Sequence, residues 1–184
     1  MRTLVVGVGN EDRGDDGLGP LAARLLADAI APRVTEGRAG GRARVGSAHD
    51  VEVVAWCGDP MGLLDRWAGF DRLVLIDAVV SGGEPGTTRR YGPDAPFAEG
   101  AGATTHGFGL AAALALGRAL GRLPERVEVW GVEAVEFAAD APLTPAVAEA
   151  VLALVDRLRE ELGEVGPGSA PTVVGTFGPG DRSP

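Results

Sequence analysis

The opening run of this chain limits its fold more than any other feature. Thr3-Leu4-Val5-Val6-Gly7-Val8 is apolar and largely β-branched, and it breaks directly into Gly9-Asn10. A strand with no polar alternation has both faces covered. It therefore belongs inside a parallel sheet flanked by helices. Leu18, Leu21, Leu25 and Ala29 then recur at helical spacing, and Pro32 ends that helix. A strand followed by a helix is the repeating unit of such a sheet.

The same alternation continues along the chain. Arg33 to His49 is rich in Gly and Arg, has no period and reads as a surface loop. Val51 to Trp56 reads as a second strand, with Glu52 suggesting an edge position. Pro60 to Gly69 fits a short helix, and Leu73 to Ile76 is a fully apolar third strand expected at the centre. A Gly82-Gly83-Glu84-Pro85-Gly86 turn leads to a short strand at Thr87 to Tyr91. An Ala/Leu helix runs from Gly107 to Leu120, and a strand from Arg126 to Trp130. Thr144-Pro145 supplies a cap and a first-turn proline for a last helix closed by Gly163. The expectation is a three-layer α/β/α fold, phosphorylase/hydrolase-like, with a mostly parallel twisted sheet of about five strands. Residues 1–163 form the domain, and the Gly/Pro-rich residues 164–184 read as a disordered tail.

Composition narrows the function. With 184 residues the chain buries a full core without staples. The net charge of -9 disfavours nucleic acid and anionic lipid as partners. All 17 basic residues are Arg, which removes a P-loop lysine and Schiff-base chemistry. A single cysteine, Cys57, allows no internal disulfide and reads as a small apolar residue at a strand end. The N-terminus enters the first strand without the apolar core of a signal peptide, and no apolar stretch reaches the length of a bilayer span. A cytoplasmic protein without a membrane partner is expected.

Ligands in open α/β sheets bind at the carboxyl ends of the strands, near the switch in strand order. Three polar positions fall at such ends: Asp15-Asp16 in the Gly7–Gly19 segment, Asp77 after the third strand, and His106 before the Ala/Leu helix. Adjacent strands lie about 4.8 Å apart, so Asp77 and the Asp16 loop share a cleft if strands one and three are neighbours. Two carboxylates and an imidazole make an open three-ligand site suited to Zn, Ni, Fe or Mn. Plainer readings compete: Asp15 or Asp16 capping the first helix, Asp77 as a turn former, His106 facing solvent. Glu133 and Glu136 follow the last strand, at the surface or at the cleft rim. His49 and the Arg33/Arg38/Arg42/Arg44 group read as solvated loop residues. A dinucleotide site is the weaker alternative. After Gly7 and Gly9 its third glycine falls on Asp12, and no acid ends the second strand at Ala55-Trp56-Cys57.

These residues also carry a resemblance. The segments Val5–Asn10 with Gly14–Gly19, Leu75–Ala78 with Gly83–Gly86, Thr104–His106 with Gly109-Leu110, and Gly131-Val132 with Leu143–Pro145 stand in order over residues 1–160. Together they resemble the NiFe-hydrogenase maturation endopeptidases. The resemblance implies a hydrolase that cuts a C-terminal extension from the hydrogenase large-subunit precursor once nickel has been inserted. It implies Asp16, Asp77 and His106 as nickel contacts, Asp16 and Asp77 as catalytic groups, and Gly9, Asn10, Asp15 and Thr105 as the loop lining the substrate cleft. Nickel would arrive with the precursor rather than reside in the protease. The activation of water, by the metal or by a carboxylate base, stays open. The sequence departs from the family in two places. Some relatives have Glu where Asp16 stands, and Ala55–Asp59 replaces an Asp-Gly-Gly-Thr-like run, so one cleft wall is altered. A non-catalytic nickel-site chaperone would use the same ligands.

Overall fold

A computed structural model describes residues 1–30, 50–93, 107–163 and 172–177. The strands are β1 (Arg2–Val8), β2 (Asp50–Trp56), β3 (Arg72–Val79), β4 (Thr88–Tyr91), β5 (Arg126–Glu133) and β6 (Thr172–Phe177). The helices are α1 (Leu18–Ile30), α2 (Leu63–Arg66), α3 (Gly107–Ala119) and α4 (Pro145–Gly163). Short 3-10 turns at Gly14–Gly17 and Pro60–Gly62 lead into α1 and α2.

The strands form one sheet in the order β4-β5-β3-β1-β2-β6. Every neighbouring pair is parallel except β4 with β5. The five expected strands are present, and β3, whose Leu73–Ile76 segment is wholly apolar, is central. Two expectations need correction. Glu52 does not mark an edge, because β2 lies between β1 and β6; its carboxylate is instead paired with Arg66 of α2. Part of the expected tail is ordered into a strand. Thr172-Val173-Val174 pairs with Glu52-Val53-Val54, where β-branched residues meet an available strand edge. The Arg-rich loop with His49 lies outside the described residues, as do the remaining parts of the tail.

Two apolar layers sandwich the sheet. On one face Val5, Val74, Ile76, Ala78, Trp130 and Val132 pack with α1 and α4 through Leu18, Leu26, Val151 and Leu158. On the other face Leu4, Val6, Val8, Leu73, Leu75 and Val129 pack with α2 and α3 through Leu63, Trp67, Leu110 and Leu114. Among the described residues no helix is long and apolar enough to cross a membrane.

The chain runs from β1 outward to β2 and then returns to β3 on the other side, so the switch in strand order lies between β1 and β3. Glycines let the α1 entrance close onto this point. A methyl group on Gly19 would sit 2.1 Å from the Val8 carbonyl oxygen and 2.8 Å from that of Ile76. One on Gly7 would sit 1.9 Å from the Gly19 carbonyl oxygen. The first helix thus meets the sheet backbone to backbone, and the residues just before it are carried to the ends of β1 and β3.

Candidate active site

Asp16 lies in the 3-10 turn Gly14–Gly17, which rests against β3. Its carboxylate accepts a hydrogen bond from the Asn10 N–H at 3.1 Å, closing the Gly9–Asp16 loop on itself. Gly9 makes the closure possible. Its φ of 145° and the 1.9 Å that would separate a Cβ from the Asp16 carbonyl oxygen admit no side chain. The Gly9 N–H donates to the Trp56 carbonyl at 3.1 Å, so the loop is also tied to the end of β2. The glycines of this segment therefore serve close backbone packing.

Asp77 lies within β3, where the sequence reading placed it just after the strand. Leu73 and Leu75 face the α3 layer and Val74, Ile76 and Ala78 the α1/α4 layer. With a strand period of two, Asp77 faces α3. Its carboxylate accepts a hydrogen bond from the Ala78 N–H at 2.9 Å. Its ladder partner on β5 is Gly131, so no side chain stands directly beside it on that strand. With Gly7 opposite Ile76, Val8 and Asp77 are the next residues along two adjacent strands. Strands one and three are neighbours, as the shared cleft requires. Asp16 is 0% and Asp77 3% exposed, so both carboxylates are enclosed.

His106 and Thr105 lie outside the described residues; α3 begins at the next position, Gly107, on the face that Asp77 occupies. Among the described residues no three His, Cys, Asp or Glu side chains are grouped to hold a metal ion. The imidazole expected to complete the ligand set belongs to a segment beyond them.

Asp15 holds the cleft loop from behind. It does not cap α1. Its buried carboxylate accepts hydrogen bonds from the Val135 N–H at 3.0 Å, the Glu136 N–H at 3.1 Å and the Thr144 N–H at 2.7 Å. The Thr144 hydroxyl donates to it at 3.0 Å. Backbone bonds from Asp15 N–H to Glu136 carbonyl and from Gly14 N–H to Ala141 carbonyl complete the seam. Asp15 thus joins the Asp16 turn to the segment between β5 and α4.

Glu133 has a role that the sequence did not reveal. It is the last residue of β5 and is 4% exposed. Its carboxylate accepts hydrogen bonds from the Ser81 hydroxyl at 2.6 Å and from the N–H groups of Ser81, Gly82 and Gly83 at 2.7, 2.9 and 3.1 Å. Burial alone would raise its pKa. The Ser81 hydroxyl and the three N–H donors more than offset this and hold the carboxyl below the usual 4.5. Glu133 thereby fixes the loop that leaves β3 just beyond Asp77. The signal available beforehand was an acid placed two residues after Gly131 beside a Gly-rich turn. Glu136 accepts a hydrogen bond from the Ala138 N–H at 2.8 Å, a local turn contact at the surface. Cys57 follows β2 and is half-buried rather than enclosed.

The hydrogenase maturation protease (HycI) family model matches residues 42–161. The chain belongs to the hydrogenase maturation protease family. That match includes Asp77 and His106 and begins after Asp16; solved structures extend the likeness to the N-terminal segment. The Escherichia coli hydrogenase maturating endopeptidase HybD is 27% identical with a TM-score of 0.68, covering 94% of this chain and 98% of its own. An Escherichia coli endopeptidase solved in solution is 28% identical with a TM-score of 0.71, covering 93% and 98%. The HybD maturation protease of Thermococcus kodakarensis is 26% identical with a TM-score of 0.61, covering 88% and 99%. No curated protein sequence matches. Within a maturation protease, the enclosed Asp16 and Asp77 at the strand switch occupy the place where the fold class binds its ligands.

Proposed function

We propose that this chain is an endopeptidase that removes the C-terminal extension from a nickel-loaded hydrogenase large-subunit precursor. The observation that carries this reading is the contact of the Asp16 turn with β3, the strand that holds Asp77, next to the strand switch, in a chain of the maturation protease family. Nickel enters as part of the substrate. Asp16, Asp77 and His106 offer two oxygen donors and one nitrogen donor, a set that nickel accepts.

In this reading the carboxylates grip the metal already seated in the precursor and so hold the scissile segment at the rim. Holding the segment in place contributes several kcal/mol of barrier lowering, and a precursor without metal forfeits it. The protease then acts as a checkpoint on metal insertion. A carboxylate of the pair takes a proton from the attacking water, or the metal lowers the pKa of that water; both routes use the same residues. The enzyme works on a protein partner in the cytoplasm and needs no resident cofactor.

Intact-mass measurement of the precursor tests the proposal. A nickel-loaded precursor incubated with the protein loses its C-terminal extension, and the nickel-free form does not. A precursor that stays at full mass while bound to the protein identifies a chaperone that shields the nickel site.

A further inference from the structure

The side chain at the end of β2 points to a specificity determinant. On β2, Val54 faces the α2/α3 layer and Ala55 the α1 layer, so Trp56 faces the α2/α3 side. Val8 lies opposite Trp56 in the ladder and faces the same way. Beyond Val8 the next strand carries Asp77, and beyond that comes Gly131. Trp56, Val8, Asp77 and Gly131 thus form one row across four adjacent strands, on one face and at their carboxyl ends. Neighbouring strands are about 4.8 Å apart, so the indole starts about two spacings from Asp77.

Trp56 is also built in. A Cβ on Gly62 would lie 3.0 Å from its ring and one on Gly58 3.4 Å, so the indole rests against both glycines. Its Nε1–H donates to the Asp59 carbonyl at 3.3 Å. Half-buried Met61 adjoins the same layer. Asp16 is 0% and Asp77 3% exposed, whereas Trp56, at the end of the row, is only half-buried.

We infer that Trp56 selects an apolar side chain of the precursor next to the bond that is cut. This rests on the proposed endopeptidase activity. Val8 itself is buried, so a peptide runs along the carboxyl ends of these strands, and with its scissile bond at Asp77 it places a flanking side chain against the indole at the end of β2. An apolar side chain gains a partner there. An acidic one loses water against the ring, with the Asp59 carboxylate in the same turn.

The probe is the nickel-loaded precursor that the wild-type protein cuts, its cut located by mass spectrometry. The residues on either side of the cut are changed singly to Leu and to Asp. At one of these positions wild type should process Leu over Asp by at least about tenfold in kcat/KM, the scale on which an apolar pocket discriminates. Trp56→Gln should bring that ratio to within about twofold, and Trp56→Phe should retain it. Thermal melts show whether each variant is folded. A second readout needs no cleavage. Trp67 and Trp130 are 0% and 2% exposed, so precursor binding should shift indole emission through Trp56, and Trp56→Phe should abolish the shift. An unchanged Leu/Asp ratio in folded Trp56→Gln, or an emission shift that survives Trp56→Phe, overturns the inference. A wild-type protein that cuts no precursor overturns the proposed function, and this inference with it.

Discussion

Gly131 stands across the β3–β5 ladder from Asp77, so β5 contributes no side chain at that rung. The vacancy is tightly framed. A Cβ at Gly131 would come within 2.8 Å of Val79 Cγ1 and 3.0 Å of Tyr91 Cε2. Gly131→Val therefore crowds Val79 and Tyr91 on the rung that holds Asp77. We expect a loss of about 1–3 kcal/mol in urea unfolding, the usual cost of overpacking. Precursor cleavage should fall further than the stability loss explains, measured where the variant is fully folded.

Asp15 and Asp16 are adjacent, yet they should fail differently. Asp15→Ala strips the acceptor from the N–H groups of Val135, Glu136 and Thr144. Buried donors left without partners cost about 1–3 kcal/mol each, and we expect roughly 3 kcal/mol or more in total by chemical denaturation. Asp16→Asn retains an oxygen for the Asn10 N–H and should unfold within about 1 kcal/mol of wild type. Its defect should lie in cleavage.

The Gly9 position tests the loop closure directly. Gly9 has a φ of 145°, and a Cβ there would meet the Asp16 carbonyl oxygen at 1.9 Å. Gly9→Ala must displace the Asp16 turn from the end of β1. Strain of this kind is on the order of 1–3 kcal/mol, to which backbone overlap adds. Denaturant midpoints should drop accordingly, and amide exchange should quicken at Asn10 to Asp16.

Glu133 gives the fold an acid-sensitive clamp. Its pKa in the folded protein lies below the ordinary 4.5. The stabilisation is therefore complete above the unfolded pKa and is lost as pH falls through the lowered folded value. Glu133→Gln should be less stable than wild type at neutral pH. The gap should narrow on acidification below about pH 4.5, read from urea midpoints across a pH series.

The sheet was legible because Leu4–Val8 of β1 and Leu73–Ile76 of β3 are uninterrupted apolar runs and because α1 and α4 carry their core residues at helical spacing. Asp77 was legible as the first acid after the Leu73–Ile76 run. Asp16 is the fourth acid after the first strand, behind Glu11, Asp12 and Asp15, and was legible from its place before the first helix and from the family resemblance. Strand order was not legible in full. Glu52 pointed to an edge because one charge in a strand usually faces water; here Arg66 neutralises it inside the sheet. The strand at Thr172–Phe177 was hidden by its Gly/Pro surroundings, since its hydrogen bonds come from β2 rather than from local propensity. The partners of Asp15 and Glu133 were out of reach for a different reason. Asp15 is bonded to residues about 120 positions away and Glu133 to residues about 50 positions away, and no local pattern encodes such contacts.

The central claim is that Asp16 and Asp77 act together on the precursor. Single-turnover cleavage of the nickel-loaded precursor by Asp16→Ala, Asp77→Ala and the double variant tests it most directly. Groups that act as a unit are non-additive. The account predicts that each single variant loses at least about a thousandfold in rate and that the double variant loses little more. Cleavage by either folded single variant at the wild-type rate would contradict it.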